Sequence, residues 1–343
     1  MPRINPLMNF IKFLSTFVCA LCLITAALFV YRYLSFPIQD PGRRHTVTIP
    51  EGSSFQAVAR RLHRQGIIKN PRFFSILARV SGTASRIQAG EFALDTEWSR
   101  PRLLKALVSG EVVLHTLRIP EGSTWWETAR LVEKTGLTSF ERFERAVHDQ
   151  DLLRDFGIPA DTAEGYLFPE TYSLPRPANQ DAAPIVRMLI SECMENLRRH
   201  VWPEGLPPAG SIHASLILAS LVEKETAQAE ERARIAGVYA NRLRKGMRLQ
   251  GDPTVIYGLG PEFDGNLTRR DLESRENPYN TYRFPGLPPG PICSPGLAAI
   301  QAAVDPEEHD LYYFVAADKG SHVFSRTLRE HNAAVRKYQL NRK

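Results

Sequence analysis

Cysteine is scarce: the 343-residue chain holds four, too few for the disulfide framework of a small secreted domain. Cys19 and Cys22 lie inside an apolar run, where their CxxC spacing has no bearing on zinc or redox chemistry. Spacing leaves open whether Cys193 and Cys293 pair. The nine histidines include no HxxxH pair, and His309, His322 and His331 are far apart, so neither a metal nor a cofactor is expected. The stretch "YGLGPEFDG" (257–265) lacks GxGxxG spacing and follows no clear strand, and no GxSxG elbow occurs. Basic residues are spread rather than clustered, which argues against a nucleic-acid partner. The net charge of +6 suits an acidic polymer, whether anionic lipid or a wall glycan bearing acidic peptides, and decides little alone.

Long apolar runs are also few, and the exception is at the N-terminus. "FLSTFVCALCLITAALFVY" (13–31) is free of charge and matches the roughly 20 residues that cross a bilayer. Signal-peptide cores are shorter, about 7–15 residues, and no small-x-small cleavage site follows at a convincing place. The expected layout is a head at 1–12, an uncleaved transmembrane helix at 13–34 and a Pro/Gly-containing linker at 35–44. Arg3 and Lys12 before the span nearly balance Arg32, Arg43 and Arg44 after it. The short head and long following chain favour head inside and bulk outside.

The next segment repeats itself. "VTIPEGSSFQAVARRLHRQGII" (47–68) is echoed by "LRIPEGSTWWETARLVEKTGL" (117–137), each a β-like run, a PEGS turn and an amphipathic helix. Ser53 and Ser123 are the expected N-caps. Phe55, Val58, Ala59 and Leu62, like Trp125, Ala129 and Val132, fall on one helical face. Such units resemble LysM-type modules, which bind N-acetylglucosamine-containing glycans; the alternative is a duplicated packing unit without a ligand. Between the copies, residues 87–111 read as a strand or hairpin followed by a helix. The fold class is α+β.

Further on, "EGYLFPETYSL" (164–174) mixes aromatics with carboxylates around Pro169, and reads either as sugar-binding or as a packed loop. A supporting helix over 184–197 and a breaker, "PEGLPPAG", precede "LILASLVEKETAQAEER" (216–232). A helix over 212–226, capped by Ser211, puts Glu225 on the face of Leu218, Leu221 and Val222. Glu223 points about 200° away, toward Ser220 and Ala219, so the two carboxylates are no facing pair. A carboxyl on an apolar stripe at a helix C-terminus has its pKa raised, as a general acid needs. The bland alternative is an ion pair with Arg232, Arg234 or Arg242. The next helix carries Ile235, Val238, Tyr239 and Leu243 on one face and ends at Gly246. Asp252 before Pro253 reads as an N-cap, or as a second carboxylate near a sugar.

The string "ASLVEKETAQAEERARIAGVYANRLRKGMRLQGDPTVIYG" (219–258) closely resembles the signature of the endolytic murein transglycosylases, the MltG or YceG-like family. The resemblance extends through "EGYLFPETY", the PEGS segments, "NPYNTYRFPGLPPGPICSPGLAAIQAAVDP" (277–306) and "DLYYFVAADKGSHVFSRTLREHN" (310–332). It implies a LysM-like α+β subdomain at 45–115 and a mixed α+β YceG-like catalytic domain at 116–343. It also implies an enzyme on the inner, or plasma, membrane that cleaves peptidoglycan glycan strands from the periplasmic or extracytoplasmic side. The family's catalytic glutamate, the second of "EKET", falls on Glu225, which would protonate the bond between MurNAc and GlcNAc and leave a 1,6-anhydro end. Gln250, Asp252, Thr254, Tyr257, Asn280, Tyr282 and Glu164 are the candidate sugar contacts, each with a capping or packing role as its alternative. Gly251 stands where the family usually has Thr, and Cys293-Ser294 where it more often has Ser-Asn or Ala-Thr. Penicillin-binding proteins of cell elongation are the implied partners. A lysozyme-like hydrolase using Glu225 with Asp252, and a non-catalytic wall-binding scaffold, are the competing readings.

Overall fold

The computed structural model describes residues 6–38, 42–317 and 320–340. The chain is mixed α+β, with two compact units, Met1–Leu114 and His115–Lys343. Its β-structure is three separate two-stranded sheets.

The first unit opens with α1 (Pro6–Ser35). Its apolar span, Phe10–Ser35, is 26 residues long and contains an 18-residue window of mean hydropathy 2.5, none of which is buried. The span is about 39 Å of helix at roughly 1.5 Å per residue, enough for a hydrocarbon core of about 30 Å. Beyond it β1 (Arg44–Ile49), α2 (Phe55–Arg64), α3 (Pro71–Val80), β2 (Gly90–Asp95) and α4 (Arg100–Ser109) follow. β1 and β2 pair antiparallel, with Val47 opposite Phe92. Val47, Leu62, Phe74, Phe92, Leu94 and Leu103 form the core at 0% exposure. The segment read as a linker is tied down where it is described: Ile38 is buried and its N–H donates to the Thr96 carbonyl.

The echo is real, but its caps sit one residue later than expected. Ser53 N–H and Ser123 N–H each close the turn on the carbonyl of Pro50 or Pro120 at 3.3 Å. The Ser123 hydroxyl also donates to the Pro120 carbonyl at 2.8 Å, and the caps are Ser54 and Thr124, whose hydroxyls accept from Ala57 N–H and Glu127 N–H. Thr124 forms a reciprocal box with Glu127, satisfying two of the helix's orphan donors.

In the second unit β3 (Leu114–Arg118) pairs with β4 (Thr171–Pro175) around α5 (Trp125–Lys134), α6 (Phe140–Val147) and α7 (Gln150–Asp155). α8 (Ala183–Asn196), α9 (Ala209–Glu225), α10 (Arg232–Arg244), α11 (Asp252–Leu259), α12 (Arg269–Glu273) and α13 (Leu297–Val304) come next. The antiparallel hairpin β5 (Tyr313–Ala316) and β6 (His322–Ser325) precedes α14 (Leu328–Val335). α9 is the central element, packed on α13, α10 and α11. It is buried on all sides from Leu216 to Val222, as an apolar helix without a polar face must be. The face of Ser220 is therefore as enclosed as that of Leu221, with the Ser220 hydroxyl bonded to the Ile217 carbonyl.

Three more boundaries move. α9 starts at Ala209 behind Pro208, because the Pro208 carbonyl already accepts from the N–H groups of Ser211 and Ile212. Ser211 is thus inside the helix rather than its cap. Asp252 is the first residue of α11 and Gly251 the cap, so Pro253 takes the second position. Lys245 caps α10, with Gly246 just beyond in a left-handed conformation at φ +65°. All four cysteines are free thiols, Cys193 and Cys293 in the core.

Candidate active site

α9 stops at Glu225 because Thr226 turns extended, at φ −144° and ψ 137°. Glu225 is therefore in the last turn, beside carbonyls that have no helical partner and carry the negative end of the helix dipole. The residue as a whole is half-buried. Oε1 accepts a 2.6 Å hydrogen bond from the Tyr239 hydroxyl on α10. Burial raises the carboxyl's pKa, the Tyr239 bond opposes the rise, nearby Asp252 adds to it, and His322 and Arg242 counter it. Burial prevails, so the carboxyl keeps its proton to higher pH than an ordinary glutamate does. Among the described residues no ion pair engages Glu225. Arg234 pairs with Glu307 at 3.0 Å, and Arg242 reaches the Tyr312 and Leu249 carbonyls at 2.7 and 2.6 Å.

Glu223 faces elsewhere. Its Oε2 accepts from Gly296 N–H at 3.0 Å, at the start of α13. The neighbouring Lys224 ammonium holds the Gly122 carbonyl of the second PEGS turn at 3.2 Å. That turn also exchanges backbone hydrogen bonds with Ser294, each 2.8 Å. The EKET segment thus sends one carboxylate to brace the start of α13 and the other to the Tyr239 hydroxyl of α10.

The loop before α11 lies beside Glu225. Gln250 is held at φ +53°, a left-handed conformation costing about 1–3 kcal/mol for such a residue. The Thr281 carbonyl and hydroxyl fix it by accepting from Gln250 N–H and Gly251 N–H at 3.3 and 3.0 Å. A Cβ at Gly251 would stand 3.3 Å from both Glu225 Oε1 and the Tyr239 hydroxyl. Glycine here lets the loop approach the acid without pressing on it. Asp252 is exposed and accepts from the Tyr282 hydroxyl at 2.6 Å.

The remaining candidates fall into two groups. Thr254 is fully buried, bonded to the Gly251 carbonyl at 2.7 Å and to Thr281 at 2.9 Å, so it shapes the loop from within. Asn280, also fully buried, donates to the carbonyls of Asp271, Leu272 and Ser274 and accepts from Tyr282 N–H. These two are braces. Tyr257 lies five residues along α11 from Asp252, about 7.5 Å at roughly 1.5 Å per residue. It stacks on Trp126 with ring centroids 5.0 Å apart and meets Tyr279 at 4.8 Å.

Behind that column is Glu164, only 2% exposed. Its oxygens accept from Trp125 N–H at 3.0 Å and Gly165 N–H at 3.2 Å. Burial pushes its pKa up to about 8 against those bonds. A hollow of 510 Å³ opens beside it, between Arg154, Asp161, Tyr279 and Pro291, and Glu225 is not in its wall.

Sequence reasoning missed Tyr239, His322, Trp126 and Tyr279. Tyr239 was assigned to packing, and the available signal was that a buried tyrosine must find a partner for its hydroxyl. His322 joins through Glu231, which accepts from its ring nitrogen at 2.7 Å and from its N–H at 2.9 Å. Burial pulls the Glu231 pKa up, but these bonds outweigh it and hold it low.

Fold and site define a class: two α+β units behind one apolar helix, with a desolvated carboxyl closing a buried helix. The YceG-like family matches residues 47–337, and the chain belongs to that family. It is 32% identical over 333 residues to the endolytic murein transglycosylase of Bacillus subtilis, covering 92% of this chain and 91% of that protein. It is also 32% identical to the protein of the same name in Streptococcus pneumoniae, over 94% of this chain and 64% of that longer protein. The crystal structure of a YceG-like protein from Listeria monocytogenes superposes with a TM-score of 0.57 at 31% identity, covering 85% of this chain and 99% of that one.

Proposed function

We propose that the chain is a membrane-anchored endolytic murein transglycosylase with Glu225 as its acid and base. It would cleave the β-1,4 bond from MurNAc to GlcNAc inside nascent peptidoglycan strands and so end their elongation. The observation that carries this reading is the carboxyl of Glu225, desolvated on a half-buried residue and oriented by Tyr239.

The steps follow from that geometry. Protonated Glu225 gives its proton to the glycosidic oxygen as the C1–O bond breaks and GlcNAc leaves. Tyr239 occupies Oε1, so Oε2 is the oxygen free to carry that proton. The carboxylate then takes the proton of the C6 hydroxyl of the same MurNAc. Its oxygen closes on C1 as a 1,6-anhydro ring, no water is consumed, and Glu225 ends protonated as it began. The transient sugar cation is stabilised by the substrate's N-acetyl oxygen and by Asp252, oriented by Tyr282. Trp126 and Tyr257 offer aromatic faces to neighbouring sugars.

The β-α-α-β order of the first unit supports a LysM-like reading and glycan contact there. With α1 as the anchor, residues beyond it lie outside the membrane, where synthases of the penicillin-binding type are the proposed partners.

One observation favours a second reading. Asp252 acts electrostatically on Glu225, and a retaining hydrolase uses two carboxyls about 5–5.5 Å apart. Mass spectrometry of digested glycan separates the two, since anhydro ends are one water lighter than reducing ends. Anhydro ends are expected, and only reducing ends would sink the transglycosylase reading.

Tyr239→Phe should lower cleavage roughly tenfold, the worth of one hydrogen bond to a charged group. It should also move the alkaline limb of the pH–rate profile upward. The wild-type bond favours the carboxylate, so its loss keeps the acid protonated to higher pH. An unmoved limb would show that this limb does not report Glu225.

A further inference from the structure

Outside α1, large apolar side chains exposed among the described residues are few, and three of them share one face of α3. Phe73, Ile76 and Val80 are 45%, 54% and 83% exposed, at i, i+3 and i+7 of a ten-residue helix. The opposite face carries Phe74 and Ala78 into the core. The exposed stripe is continuous with α1. The Phe73 ring meets Phe29 at 5.9 Å and Tyr33 at 6.0 Å, edge-on to both. Arg100 locks the junction, donating to the Tyr33 and Phe36 carbonyls at 2.8 and 2.9 Å with its guanidinium over the Tyr33 ring.

These contacts set a depth. Tyr33 and Arg32 close the apolar window, the level at which tyrosine and arginine favour the membrane–water boundary. Phe29 is one turn, about 5.4 Å, deeper. A ring that touches both is at the boundary between headgroups and acyl chains. Beside it Arg60, Arg72 and Arg79 line a groove of 470 Å³ that also includes Ile76. None of the three is in an ion pair among the described residues. Charge is distributed to match: residues 42–114 hold twelve Lys and Arg against five Asp and Glu, whereas residues 115–343 carry net charge −3.

We propose that the first unit docks on the bilayer surface through α3, with Phe73, Ile76 and Val80 in the interfacial layer and Arg60, Arg72 and Arg79 on anionic lipid phosphates. An apolar stripe rimmed by arginines is the pattern of a helix lying in the interface, and arginine stems can lie along apolar surface while their heads reach phosphate. The docking holds the unit against the membrane instead of letting it swing on α1. It rests on the reading of α1 as a membrane span.

The test uses the full-length protein, with Cys19 and Cys22 changed to alanine, in phosphatidylethanolamine–phosphatidylglycerol nanodiscs. Nitroxide labels are placed singly by Ile76→Cys and Val80→Cys, and by Ile24→Cys within α1. These positions are all exposed, so labelling leaves the core intact. Collision rates with oxygen and with a nickel chelate report depth. At 76 and 80 the oxygen-to-nickel ratio should exceed that of a free nitroxide in buffer several-fold. It should fall toward the buffer value in phosphatidylcholine, which has no net charge to hold the arginines. A lipid-like ratio at 24 with buffer-like ratios at 76 and 80 would overturn docking while leaving the anchor intact, and would mark the stripe as a protein-binding face. Buffer-like ratios at all three would remove the anchor and the docking together.

Discussion

Glu225→Gln should reduce strand cleavage by a factor of about 10²–10⁴, the usual contribution of a positioned acid or base, while leaving the fold at least as stable. Both halves come from the same feature. The amide has the shape of the carboxyl and can still accept from Tyr239, but it holds no transferable proton. The carboxylate it replaces is disfavoured by burial, so a neutral isostere relieves a penalty that grows as pH rises above the acid's unfolded range. Melting temperature and anhydro-product yield, measured on one preparation, separate this from unfolding. A cleaving variant would refute the assignment, and an inactive variant with a lowered melting temperature would leave loss of fold as the cause. Glu223→Gln should be milder, because its amide oxygen can still accept from Gly296 N–H and hold the start of α13 to α9. Equal losses would mean that the brace matters as much as the acid.

Helical phase separated these glutamates correctly, since one carboxyl reaches α13 and the other α10. Its premise was too simple. Phase assumed an apolar stripe opposite a polar face, whereas α9 is enclosed on every side, Ser220 included. What distinguishes Glu225 is where the helix stops and which hydroxyl waits there, and neither is local in sequence: Tyr239 is fourteen residues away on another helix. The one-residue errors at Ser53 and Ser123 share a cause. Propensity marks residues able to cap, but the turn's own hydrogen bonds choose among neighbours, and the hydroxyl of Ser54 or Thr124 is as able as the serine before it. Thr254 and Asn280 show the limit from the other side. Polar residues in a dense motif read as ligand contacts, while here they pair the Gly251 carbonyl at the start of α11 and the carbonyls that end α12, which have no helical partner. The paired units, the apolar N-terminal helix and the order of elements were legible because each depends on local periodicity. The Trp126–Tyr257–Tyr279 column was not, because it joins three distant segments.

Glu164 gives the largest expected effect on stability. Its carboxyl lies at the N-terminus of α5, where helix N–H groups favour negative charge, yet burial dominates and pushes its pKa up to about 8 from the ordinary 4.5. The native state therefore keeps a proton that the unfolded chain gives up. Stability contributed by this group is fully present below about pH 4.5, declines as pH rises, and is lost once pH passes about 8. At roughly 1.4 kcal/mol per pKa unit the whole window is worth about 5 kcal/mol. Glu164→Gln keeps an acceptor for Trp125 N–H or Gly165 N–H and removes the titration. The variant should melt close to the wild type at the acid end and above it at the alkaline end, by on the order of 10 °C for a chain this size. The difference between the two melting curves isolates Glu164 from Glu223 and Glu225, whose raised pKa values slope the same way in both proteins. Parallel curves across the window would show that water or a cation reaches the carboxylate. In that case the hollow beside Tyr279 would communicate with Glu164, and the residue would return to the substrate-contact role its motif suggested.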